Sequence, residues 1–140
     1  MSANYNENHR EILENANTIL LVDWPGTEVP QALLTAGFKV FSYSPGKYSI
    51  AILKTGEKEG LTFKELDKRP EKVDIVNIFR PEEEHDAIIA EHVLPLKAKV
   101  IWLHPPVTSA KTAEIAGKHD LIFIEGDDIA AIAKAISSIV

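Results

Sequence analysis

Arg80 and Lys47 are the cations of this chain that directly flank turn signals at strand ends, and both suit an anionic ligand. Arginine offers a planar fork to phosphate or carboxylate, and lysine offers a point charge. Gly26 and Thr27 add a second kind of anion chemistry, because free backbone amides at a helix start point toward a ligand. Two neighbours oppose it: the Asp23 carboxylate repels phosphate, and Pro25 has no amide to donate. His104, at another strand end, offers a hydrogen bond or a general base. Each has a plainer reading. Thr27 caps a helix that has Glu28 and Pro30 in its first turn. Arg80 pairs with Glu82, Glu83 or Asp86 on the following helix, and His104 is structural. Trp24 either stacks on a planar ligand or lids an empty crevice.

These residues need a scaffold, and the apolar runs supply one. Thr18 to Val22, Phe38 to Tyr43, Val73 to Phe79, Ala98 to Leu103 and Asp120 to Ile124 read as short buried strands. Between them, Val29 to Ala36 reads as a helix closed by Gly37. Pro81 to about Leu94 is a helix with proline and glutamates at its positive end. Ser109 to Lys118 and Asp127 to Ile139 complete the set, and Asn6 to Glu14 forms a leading amphipathic helix or arm. Ser44 to Lys47 is a turn, and an extended piece at Ser49 to Leu53 follows. Leu61 to Leu66 reads as a helical turn with Thr62 as N-cap and Glu65 as its capping-box partner. Alternating strands and helices predict an α/β domain over residues 1–140. It has a doubly wound five-stranded parallel sheet, order 3-2-1-4-5, with helices on both faces. Ligands of such sheets sit beyond the carboxyl ends of the strands, where the loops carrying Asp23, Ser44, Arg80 and His104 converge.

Composition removes several classes of function. Fifteen basic against twenty-one acidic side chains give a net charge of −6, which argues against general nucleic-acid binding. With no cysteine, disulfides and thiolate chemistry are excluded. The polar start and the shortness of every apolar run predict a cytoplasmic protein without a membrane segment. His85 and His92 lie two helical turns apart and read as surface residues, not metal ligands. No Gly-x-Gly-x-x-Gly and no acid ending the second strand argue against NAD. Trp102 reads as core. Asp74 and Asn77 lie on the third strand, but no aspartate ends it, which argues against a phospho-receiver. A nucleophile is also lacking, so catalysis is not expected.

Taken together, Thr18 to Val22, Gly37 to Val40, Asp74 to Arg80 and Lys99 to Trp102 resemble the small stand-alone CoA-binding domain proteins. Those are Rossmann-like domains akin to the N-terminal domain of the succinyl-CoA synthetase alpha subunit. The resemblance implies CoA or acyl-CoA held, without catalysis, in a sensing or regulatory role. It assigns the ligand to Trp24, Gly26 and Thr27 on the first loop and to Ser44, Pro45 and Lys47 on the second. Phe79, Arg80 and His104 complete that set. Two segments depart from the family: Asp23-Trp24-Pro25 replaces a small Gly-x-Ser loop, and His104-Pro105-Pro106 replaces a Gln followed by Gly. They motivate a second expectation, a degenerate pocket on a domain that acts as a protein-interaction or homo-oligomerisation scaffold.

Overall fold

In the computed structural model, which describes residues 5–44, 46–54 and 60–137, helix α1 (Glu7–Glu14) leads into strand β1 (Thr18–Val22). Four of the five β1 side chains are buried, as expected of a strand with neighbours on both edges and helices on both faces. Helix α2 (Glu28–Thr35) follows and ends as the sequence requires. Gly37 takes φ 97°, and the amides of Gly37 and Phe38 return to the carbonyls of Leu34 and Leu33. A side chain at that φ would be strained. Strand β2 (Lys39–Ser44) then pairs in parallel with β1.

Beyond β2 the architecture departs from expectation. Strand β3 (Lys47–Lys54) turns back antiparallel on β2, and β4 (Gly60–Glu65) pairs antiparallel with β3. The helical turn expected at Leu61 to Leu66 is therefore a strand. Thr62 faces Ile52 across the ladder instead of capping a helix. Leu61 packs into the core while Thr62 and Lys64 point to the other face, the period of two that marks a strand.

Because this hairpin occupies the free edge of β2, the next parallel strand cannot add there. Strand β5 (Ile75–Ile78) crosses to the other edge of β1, followed by β6 (Val100–Leu103) and β7 (Ile122–Ile124). The sheet is mixed and seven-stranded, in the order β4-β3-β2-β1-β5-β6-β7. This overturns the five-stranded, all-parallel sheet in order 3-2-1-4-5. The chain reverses its direction of winding between β1 and β5.

The segment after β5 is one irregular helix. A 3-10 turn at Glu82–Glu84 opens it, α3 (His85–Ile88) continues it, and a π-helical turn at Ile89–Val93 closes it. Helices α4 (Ala110–Lys118) and α5 (Ile129–Ser137) complete the described elements. Alternation along the strands divides the core in two. Ile19, Leu21, Ile75 and Trp102 pack against α2 and α5 on one face. Leu20, Val76, Ile101 and Leu103 pack against Ile88, Ile89 and Val93 on the other.

Two polar clamps tie this frame together. The Asp74 carboxylate, before β5, accepts from the amides of Asn17 and Thr18 at 2.8 and 3.0 Å and from the Thr18 hydroxyl at 3.2 Å. Asp127, before α5, accepts from the Asn6 amide at 3.0 Å and meets His9 Nδ1 at 2.6 Å. Its backbone carbonyl accepts from the fully buried Trp102 indole at 2.9 Å, so the tryptophan is core with its one donor satisfied.

Candidate functional site

The site is built where β1, β2 and β5 end. Asp23, the first residue past β1, stands at φ 63°, a region that aspartate tolerates when its side chain bonds locally. Here Asp23 Oδ1 accepts from the Trp24 amide at 2.9 Å, which leaves Oδ2 for Arg80 at 3.0 Å. Arg80 leaves β5 just before the irregular helix and forks onto Glu84, at 2.6 Å from Nη2 and 3.1 Å from Nε. Its hydrogen bonds to the carboxylates of Glu84 and then Asp23 raise the guanidinium pKa. Arg80 thus spans the first loop and the helix after β5, and two carboxylates already claim its charge.

Behind this latch lies a cavity of about 510 Å³. Val22, Tyr43, Ala87 and Ile88 give it apolar walls, and Ser44 closes the β2 end. Its rim is acidic, with Asp23, Glu83, Glu84 and Glu91 against Arg80 alone. At the back stands His92, buried and in contact with the Tyr43 ring at a centroid distance of 4.2 Å. Its Nδ1 bonds the Tyr48 hydroxyl. Nε2 has no partner among the described residues. Burial, with Arg69 adding to it, lowers the His92 pKa against the pull of Glu91, so the ring is neutral near pH 7.

His85 is buried too, with Nδ1 on the Thr112 hydroxyl and Nε2 on the Arg80 carbonyl. The reading of His85 and His92 as surface residues is corrected: the helix turns both toward the sheet. His85 and His92 lie on the same buried stripe as Ile88, Ile89 and Val93, at the i, i+3, i+4, i+7, i+8 spacing of a helix face turned to the sheet. Tyr43 and Tyr48 were legible in principle. They flank the Ser44 to Lys47 turn symmetrically, and a hairpin reading puts them opposite each other, as they are.

A second, smaller cavity of about 250 Å³ lies on the other side of the first loop. Gly26 and Val29, at the start of α2, face His104 and Asp128 across it. His104 is buried, lies edge-on to Phe79 at 5.7 Å, and keeps Nε2 4.0 Å from Asp128 Oδ1. Its Nδ1 has no partner among the described residues. Burial lowers its pKa more than Asp128 raises it. Thr27 occupies the N-cap position of α2 but makes no side-chain cap bond, so the expected side-chain cap is not formed. A third hollow, of about 370 Å³, runs between α2 and α5 beneath the Glu28–Lys134 pair, along the helices and not at the strand ends.

The structure thus gathers Ser44 and Arg80 around the larger cavity, and Gly26, His104 and, behind it, Phe79 around the smaller one. Trp24 stands apart: it stacks on Phe63 of β4 at 5.2 Å. Lys47 pairs with Glu65 across the β3–β4 hairpin at 3.4 Å. Pro45 lies outside the described residues. Among the described residues no three histidine, aspartate or glutamate side chains cluster as metal ligands, and no helix is long and apolar enough to cross a membrane.

A sequence profile of the CoA binding domain family matches residues 21–132, from the end of β1 into α5. The chain belongs to the CoA binding domain family. The domain therefore spans most of the chain and includes both cavities and the latch. Solved structures show the same fold. A protein from Thermus thermophilus superposes with a TM-score of 0.68 at 20% identity, over 93% of this chain and 97% of its own. Prb, a protein redesigned for binding, gives 0.69 at 19% identity over 97% and 94%. A hypothetical protein from Pyrococcus horikoshii OT3 gives 0.62 at 18% identity over 97% and 99%. These structures share the architecture of this CoA binding domain over 93–97% of its chain.

Proposed function

We propose that this CoA binding domain holds CoA or an acyl-CoA at the carboxyl ends of β1, β2 and β5, in a sensing or regulatory role without catalysis. One observation carries the reading: in a chain of this family, a hollow of about 510 Å³ stands at the strand ends, with apolar walls and hydrogen-bonding groups at its edge. The adenine end suits the larger cavity, against Tyr43 and His92 and beside Ser44. The pyrophosphate suits the amides of Gly26 and Thr27 at the start of α2, and the pantetheine arm runs toward Phe79 and His104. Arg80 serves this arrangement by drawing the Asp23 carboxylate onto itself and neutralising the one anion on the loop. Trp24 and Lys47 hold the hairpin beside the site.

The test is native mass spectrometry of freshly purified protein, followed by titration with CoA, acetyl-CoA, ADP and NAD. A retained or titrating CoA species, with NAD inert, is the expected result. Protein that ignores all four ligands refutes the reading.

A second reading, a domain whose pocket has degenerated into an interaction scaffold, draws on Pro25, Pro105 and Pro106, which have no amides to offer a phosphate. It requires a stable homomeric or heteromeric assembly. Monomer in sedimentation, with no partner retained, removes it.

A further inference from the structure

The charge around the larger cavity does not suit every part of a CoA molecule. Four carboxylates line it, from Asp23, Glu83, Glu84 and Glu91, against the single cation Arg80. That cation is bonded to two of the four. Glu83 and Glu91 are left without an ion-pair partner among the described residues. Nearby cations do little to redress this. Lys47 is paired with Glu65, and Arg69, which is not among the residues lining the cavity, acts on Tyr48 and His92. His92, a ring almost wholly buried, lines the cavity and bonds the Tyr48 hydroxyl through Nδ1. A neutral imidazole offers a hydrogen bond and no charge. The unpaired carboxylates of Glu83 and Glu91 oppose a phosphate placed beside them, whereas an uncharged nucleobase gives them no charge to repel.

We infer that the acidic rim around His92 selects nucleotide ligands that carry no phosphate monoester on the ribose, so that dephospho-CoA and its thioesters bind more tightly than CoA. The inference rests on the proposed placement of the adenine end in the larger cavity. The ribose then lies at the rim, where a 3′-phosphate of about two negative charges meets Glu83 and Glu91 within the screening length of about 8 Å at physiological salt. The pyrophosphate, common to both ligands, lies on the far side of the Asp23–Arg80 pair and does not discriminate.

Calorimetric titration of the full chain with dephospho-CoA and with CoA, at about 50 mM and about 300 mM salt, tests this directly. Dephospho-CoA is expected to bind about five-fold or more tightly at low salt, and the gap is expected to shrink at high salt. The combined variant Glu83→Gln/Glu91→Gln is expected to close the gap by improving CoA affinity while leaving dephospho-CoA almost unchanged. Both residues are at the rim, and the wild-type comparison stands even if that variant misfolds. CoA binding as tightly as dephospho-CoA, or more tightly, overturns the selectivity while leaving CoA binding intact. If neither ligand binds, the CoA reading itself fails, and the selectivity fails with it.

Discussion

In the CoA reading proposed above, Arg80 serves as the counter-charge to the Asp23 carboxylate, which accepts from its Nη1 at 3.0 Å. Its bonds to Asp23 and Glu84 are part-exposed, and such pairs add little stability. Arg80→Ala is therefore expected to leave the melting temperature within a few degrees of wild type, yet weaken CoA binding several-fold by freeing Asp23 to repel the pyrophosphate. Adding Asp23→Asn to that variant should restore most of the affinity. Titration of the single and double variants checks both. His92 and His104 make a different contribution. Burial lowers both pKa values below the ordinary 6.5, so the unfolded chain takes up protons first as the pH falls. Their contribution is complete above the unfolded value and is lost as the pH drops from 6.5 toward the folded values. The urea midpoint should accordingly be lower at about pH 5.5 than at about pH 7.5, and His104→Gln should reduce the difference.

At the scale of elements, Asp74 shows what one loop residue does for two strands. Burial pushes its pKa up, but the Asn17 and Thr18 amides, the Thr18 hydroxyl and Lys72 together bring it below 3.8. Its contribution is therefore present above that value and is lost as the pH falls through the folded pKa. Asp74→Ala leaves three donors without their acceptor and should cost about 2 kcal/mol, measured by urea denaturation near neutral pH. The parallel strands themselves were legible, because each is a short apolar run bounded by turn residues. β1 has the predicted bounds, and α2 ends at the predicted glycine. The β3–β4 hairpin was not. Thr62 and Glu65 match a capping box as well as a strand, and the pairing that decides between them lies with residues Ser49 to Lys54. The site was half legible for the same reason. Arg80, Ser44 and Gly26 sit beside recognisable turns, while His92 was passed over because a histidine on an otherwise apolar helix stripe reads as readily as a surface residue.

At the scale of the whole molecule, the order of the sheet followed from a single choice of edge. Once the hairpin covers β2, β5 must join β1, and that junction gathers Asp23 and Arg80 within a hydrogen bond of each other. The predicted order would have put β5 outside β2 and separated them. The clasp between α1 and the start of α5 acts over a longer range. Asn6 and His9 reach Asp127 across 121 and 118 residues of sequence, so the contact must wait until the sheet between them has formed. Closing a loop of such length costs chain entropy, so the clasp is expected to form after the transition state for folding. Asp127→Ala removes the carboxylate and keeps the backbone carbonyl that holds Trp102. It should speed unfolding about five-fold while leaving the refolding rate almost unchanged. Equal slowing of refolding in a stopped-flow chevron would instead place the clasp among the earliest contacts. On the expected outcome, the same two bonds act as a kinetic lock, setting how long the assembled domain persists and not how quickly it assembles.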